Sequence, residues 1–224
     1  MNSVAQSQPE VYQGQFGEYT ITEQDLQGVR LYRAGLTVAA LTFSLGTILG
    51  LGFADQPPLV QAISGCYTLL WLGLGLSLAT IHIYLVPLHR LLQGFWLVGG
   101  LASLGIAHGI EGPLAQTVVE YPQTLWGVGF IFAALTGVYF KEAFCFDRLE
   151  TKLLTPLVPF LLLGHLFGFL PLLAKQILLG LWAVLFLVFA LRKLRQPLVP
   201  DIGDKSVFDY LKHQKNTATS ASAS

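Results

Sequence analysis

The chain has 224 residues, of which 53% are hydrophobic and only 12% charged, about half the charged share of ordinary soluble proteins. That balance excludes a disordered chain and argues against a water-soluble globule. Thirteen Lys and Arg balance thirteen Asp and Glu, so no basic excess points to nucleic acid, and two cysteines, Cys66 and Cys145, are too few for a disulfide framework or a zinc ribbon.

The opening MNSVAQSQPE has no basic start leading into a short apolar run, so no cleavable signal peptide is expected. Residues 11–20, VYQGQFGEYT, are rich in aromatics and Gly and suit an interface, without a definite element. Thr22 followed by Asp25 reads as a capping box, with Ile21 and Leu26 at the staple positions, so a helix should start near Glu23. It would carry Arg30 and Arg33 on one face, within reach of lipid phosphate, into the first apolar block.

Six such blocks follow, each roughly long enough for the ~30 Å hydrocarbon core: 34–53, 59–85, 91–110, 125–140, 153–173 and 177–191. They lack strand-like alternation, and lipid offers no partner for backbone N–H and C=O groups, so they must be helices. The fourth is short by itself and can continue through Lys141 to Phe146. The last two leave room only for a tight hairpin near 171–176. Beyond Leu191, Arg192, Lys193 and Arg195 form a basic cluster at the membrane edge, and Ser206 with Asp209 suggests a cap for a short helix carrying Val207, Phe208 and Leu211. From Asn216 the tail NTATSASAS should be disordered. The expected organisation is thus an interfacial segment over 1–33, a six-helix membrane domain over 34–191, and a tail over 192–224.

With six spans, twelve of the thirteen basic residues collect on the side of the termini and only Lys175 falls on the other. Basic loops face the cytoplasm, so both termini are expected there. The charged stretch KEAFCFDRLETK, joining the fourth and fifth spans, reads first as a solvated connector. Its mixture of charge, Cys and aromatic residues makes Lys141, Glu142, Phe144, Cys145, Phe146 and Arg148 a candidate partner-contact loop.

Ionisable groups inside spans are functional candidates, because even a histidine needs a partner there. His165 is the deepest, His82 lies near the cytoplasmic end of the second span and His108 near the outer end of the third. A b-type haem needs two facing axial ligands, and His165 with His108 is the nearest pair. Buried, hydrogen-bonded histidines are the plainer reading. His108 and Glu111 sit one turn apart with Asp55 and Glu120 on the same side, an acidic rim rather than a metal site. Ser64 beside Gly65 lacks the preceding Gly of a serine nucleophile motif and reads as a packing contact. The pairs Gly46/Gly50, Gly105/Gly109 and Gly164/Gly168 each offer a small face for close helix approach.

The tetrapeptide at 39–42 (AALT) recurs at 133–136, and His82, Pro87, Arg90 and Trp96 are echoed in order by His165, Pro171, Lys175 and Trp182. Two inverted halves of three spans, as in many transporters, would produce such an echo.

The stretch 137–168, GVYFKEAFCFDRLETKLLTPLVPFLLLGHLFG, with EQDLQGVRLYRAGLTVAALTF near the start, resembles a domain-of-unknown-function family of integral membrane proteins from cyanobacteria and related photosynthetic lineages. The resemblance covers about 11–194, with KEAFCF its most distinctive part. It implies a multi-pass protein of a plasma or thylakoid membrane and carries over no catalytic residue. The reading is therefore an all-α, non-enzymatic, assembly or transporter-like membrane component. It needs no cofactor, and its partners are the lipid bilayer and other membrane proteins. The alternatives are a haem b or redox protein using His165 and His108, and a small-solute transporter, for which the spans supply few polar residues beyond Thr42, Ser44, Thr47, Ser64, Thr68, Ser77, Thr80, Ser103 and Thr136.

Overall fold

The computed structural model describes residues 11–53, 56–208, 210, 211 and 213. They fall into two compact units. One draws on Met1–Arg30 and Pro197–Ser224, the other is Leu31–Gln196.

In the first unit the aromatic stretch is a β-hairpin. Strand β1 (Val11–Gly14) pairs antiparallel with β2 (Gly17–Thr20), Val11 opposite Thr20 and Gly14 opposite Gly17. Gln15 and Phe16 form its turn although neither is a customary turn residue. The reason lies far along the chain: the Gln15 N–H donates to Asp204 Oδ2 at 2.6 Å and the Phe16 N–H to Ser206 Oγ at 3.0 Å. Phe16 also stacks on Tyr210, with centroids 4.0 Å apart. A Cβ on Gly14 would lie 2.2 Å from Asp204 Oδ1, so this close approach requires glycine. Ser206 thus secures the hairpin turn, and residues 206–208 are helical. The expected Asp209 partner and the tail from Asn216 lie outside the described residues.

The capping box forms as expected. The Thr22 N–H donates to Asp25 Oδ2 at 2.8 Å, the Asp25 N–H reaches Thr22 Oγ1 at 3.3 Å, and α1 runs Glu23–Gly52. Asp25 also takes a bond from Lys205 Nζ at 2.8 Å. Arg30 pairs with Glu23 at 2.8 Å. A short α8 (Val199–Ile202) also belongs to this unit.

Among the described residues six helices are long and apolar enough to cross a membrane: α1, α2 (Pro57–Thr80), α3 (Val86–Gly109), α5 (Leu125–Phe146, preceded by a 3₁₀ turn at Pro122–Thr124), α6 (Leu149–Leu166) and α7 (Leu172–Arg195). The protein is an all-α integral membrane protein. Large apolar side chains such as Ile48, Leu72, Leu101 and Val184 point outward. In water so much exposed hydrocarbon would drive aggregation, whereas in a bilayer it is the ordinary lipid-facing surface.

One limit is as expected and two differ. The second span ends at Thr80, so His82 lies beyond the helix, where the chain turns extended at Ile81 before Pro87. The fourth span does continue to Phe146. The final hairpin turns at 167–171 rather than 171–176, because Gly168 adopts φ +71° and the Leu170 N–H folds back to Gly164 O at 3.3 Å. A short helix, α4 (Leu114–Glu120), also occupies the connection after α3, burying Leu114 and Thr117.

The core of the membrane unit is aromatic. Trp182 is buried with its indole N–H on Tyr139 Oη at 3.1 Å, and the rings of Phe43 and Phe132 lie 4.4 and 5.3 Å from it, centre to centre. Close helix approach uses other glycines than the pattern suggests. Gly35 and Gly73 bring α1 and α2 together backbone to backbone: a Cβ on Gly35 would stand 2.4 Å from Gly73 O. Gly46 and Gly50 do meet α2 at Cys66 and Ile63, whereas Gly105 and Gly109 face open space and Gly164 accommodates Leu170 of its own turn. The two AALT tetrapeptides bury different faces, Ala39 with Ala40 in the first and Ala134 with Leu135 in the second.

Candidate functional site

A six-residue helical segment near the end of a span carries two faces, because successive side chains advance about 100° around the axis. In KEAFCF at the end of α5, Lys141 and Glu142 turn inward and Phe144 and Cys145 outward. The stretch is helix, and the connection to α6 is only Asp147 and Arg148. Asp147 closes α5 in the left-handed region at φ 51°. The expectation of a solvated connector is therefore corrected: the span simply continues, and its charges find partners in the neighbouring helices.

Glu142 is 0% exposed, and three groups converge on its carboxylate. Oε1 accepts from Tyr32 Oη of α1 at 2.9 Å and from Lys141 Nζ at 2.8 Å; Oε2 accepts from Lys193 Nζ of α7 at 2.6 Å. Lys193 Nζ also sits 3.8 Å above the centroid of the Phe146 ring, where the negative ring face adds a cation–π attraction. Buried charge is tolerated here because each ionic group is matched at hydrogen-bond distance.

Beside it, Glu150 at the start of α6 is also buried and accepts from Arg192 at 2.8 Å. Its other oxygen lies 3.5 Å from Arg148 Nη1, an ion pair without a hydrogen bond. Arg148 Nη2 donates to Gln196 Oε1 at 2.6 Å, and Arg33 donates to Gln196 O. Arg33 is buried, so it does not reach lipid phosphate as its place on the helix face suggested. Together these bonds tie α1, α5, α6 and α7 at one end. Tyr32, Arg33, Lys193 and Gln196 of the clasp all lie within the unit Leu31–Gln196.

Both carboxylates of the clasp are held in ion pairs that join neighbouring helices. What it leaves outward is apolar. Phe144 is 83% exposed, with Phe140 and Leu149 also outward and the free Cys145 exposed among them. Between α5 and α6 an open groove of about 300 Å³ is lined by Phe140, Ala143, Phe144, Thr155 and Pro156, with Lys152 at its rim. Lys152 pairs with Asp147. Phe146, expected in the contact set, instead packs under the lysines.

The histidines have local partners. A carbonyl can only accept, so His165 donates from Nε2 to Val118 O at 3.1 Å and receives Lys175 Nζ at Nδ1, 3.3 Å away. Ligation of haem iron by His165 would displace one of these bonds. His108 donates from Nδ1 to Leu104 O of its own helix at 2.8 Å. Neither ring is aimed at the other by these bonds. Among the described residues no three His, Cys, Asp or Glu groups gather as a metal site would need, and Asp55 of the acidic rim lies outside them. Ser64 Oγ has no hydrogen-bond partner, hence no base to activate it as a nucleophile.

A family model described as Uncharacterized integral membrane protein (DUF2301) matches residues 76–210, more than half of the chain. The chain belongs to this family. The part that matches the DUF2301 model holds every clasp residue of α5, α6 and α7; Tyr32 and Arg33 precede it. No curated protein and no solved structure matches the chain.

Proposed function

We propose that the protein is a non-enzymatic, assembly-type membrane component that joins another integral membrane protein through the outward face of α5 and α6. The observation that carries this reading is the division of Lys141–Phe146. Its charges turn inward to the clasp, while Phe144 stands 83% exposed on a helix end that ion pairs to α7 and a hydrogen bond from α1 hold in place. A preorganised aromatic anchor loses little freedom on binding. The groove of about 300 Å³ beside it takes roughly one or two apolar side chains from a neighbouring helix, as knobs enter holes. Ala143 forms its small wall, as helix contacts in lipid favour. Cytoplasmic termini follow in this proposal from the split of basic residues, and a photosynthetic plasma or thylakoid membrane follows from the sequence resemblance alone.

The test uses the exposed Cys145 as an anchor for a thiol-linked photo-crosslinker in native membranes. We expect an adduct with a second membrane protein that disappears in Phe144→Ser and persists in Phe169→Ser, which alters an exposed ring in the 167–171 turn. An adduct indifferent to Phe144→Ser, or adducts only to lipid or to a second copy of the chain, would overturn the proposal.

A further inference from the structure

A second site lies between α2 and α3, away from the clasp. A cavity of about 190 Å³ opens there, lined on α2 by Gln61, Ser64, Tyr67, Thr68 and Trp71, on α3 by Ser103, and by the chain leading into α4. Engineered cavities of about 150 Å³ hold benzene, so this one has room for a six-membered ring with substituents. Its walls, unlike that apolar case, are hydroxylated.

The hydrogen bonds define what a guest must offer. Ser103 Oγ donates to Gly99 O at 2.7 Å, so Tyr67 must be the donor in its 2.6 Å bond to Ser103 and keeps its lone pairs free to accept. Thr68 Oγ1 donates to Ser64 O at 3.0 Å and likewise retains acceptor capacity. Ser64 Oγ, shielded from solvent, bonds nothing in the protein and is left with both a donor and acceptor sites. Buried hydroxyls are normally paired, and an unpaired one on a residue that lines a cavity is available to a guest once its side chain turns about χ1. Among the described residues no Asp, Glu, Lys or Arg lines the cavity, so none of them would neutralise a cation or an anion there.

The floor is sealed. Trp71 is the furthest lining residue along α2, and its ring stacks on Trp96 with centroids 4.9 Å apart. Each indole N–H donates to the other tryptophan's carbonyl, at 3.3 and 2.8 Å. Each ring lies over a glycine four residues beyond the other, Gly100 under Trp71 and Gly75 under Trp96. Beyond Trp71 along α2 lie the buried Leu74 and Leu78. A molecule entering this cavity binds in a dead end rather than passing through.

We infer that this cavity is a binding site for a neutral, hydroxyl-bearing molecule of about hexose size, either a free solute or the head of a neutral glycolipid. The guest's hydroxyls donate to Tyr67 and Thr68 and pair with Ser64.

The test takes the full chain in phosphatidylcholine nanodiscs, reading tryptophan fluorescence and equilibrium binding with two probes: free glucose, and glucosyl diacylglycerol incorporated in the discs. A saturable response to either supports the site, and which probe responds identifies the source. Ser64→Ala should weaken binding about fivefold, as loss of one hydrogen bond does, and Ser64→Phe should abolish it by filling the space. Should Ser64→Phe fail to fold, Ser64→Ala decides alone. Absence of any saturable response, equal binding of choline or inorganic phosphate, or affinity unchanged in a folded Ser64 variant would overturn the inference.

Discussion

Glu142→Ala is the sharpest perturbation of the clasp. It removes the acceptor of three hydrogen bonds, from Tyr32, Lys141 and Lys193, and leaves Lys193, 1% exposed, beside an uncharged methyl group. Breaking a buried ion pair from one side costs about 3–5 kcal/mol, because the remaining charge keeps its desolvation cost and loses its compensation. For a chain of this size that corresponds to a fall of roughly 6–20 °C in the melting midpoint. The assay is thermal unfolding of the purified protein in one detergent, followed by near-ultraviolet circular dichroism. Trp182 and Tyr139, packed together in the core, supply the signal. The double variant Glu142→Leu with Lys193→Met should melt above Glu142→Ala, since it removes both buried charges at once; Lys141, at the edge of burial, can extend its ammonium outward. A Glu142→Ala protein melting within about 2 °C of wild type would show that the clasp does not hold these helices.

Three further outcomes follow from the structure. Gly35→Ala should destabilise by about 1–3 kcal/mol or more in the same assay, because its methyl meets the Gly73 carbonyl backbone, which cannot rotate away; Gly105→Ala, facing open space, should be neutral or better. Cys145 should react with a membrane-impermeant maleimide from the side bearing the termini while buried Cys66 stays unlabelled until the protein is denatured; labelling of Cys145 only from the opposite side would overturn the topology. The Gln15 N–H and the Ser206 hydroxyl hold the Asp204 carboxyl below the usual carboxylate range. A lowered folded pKa means the contribution is present above the unfolded value and is lost as pH falls through the folded one. Hydrogen exchange at the Gln15 amide should therefore accelerate in acid relative to its intrinsic rate, and Asp204→Asn should bring that acceleration to neutral pH.

Hydrophobic length alone made the six spans legible, because a bilayer imposes one condition on every residue of a span and satisfies it with a helix. The Thr22–Asp25 cap was legible for a related reason: its partners are three residues apart, so composition and geometry coincide. The roles of Lys141 and Glu142 were not legible. A charged pair at a span end has the same local pattern whether solvated or buried, and the partner that decides, Lys193, is 51 residues away. Arg33 misled in the same way, since its acceptor at Gln196 is 163 residues on.

What the sequence by itself determined is therefore what one segment and its solvent settle between them: membrane insertion, span number, and the start of α1. Only the tertiary structure decided which charges are buried, which glycines touch, and where a pocket remains. The hairpin at 11–20 shows the reason. Its aromatic and Gly-rich composition suggested no definite element and Gln15–Phe16 has no turn chemistry of its own; the turn exists because Asp204 and Ser206 arrive to accept its N–H groups. A local pattern can propose an element, while a bond supplied from 190 residues away selects it.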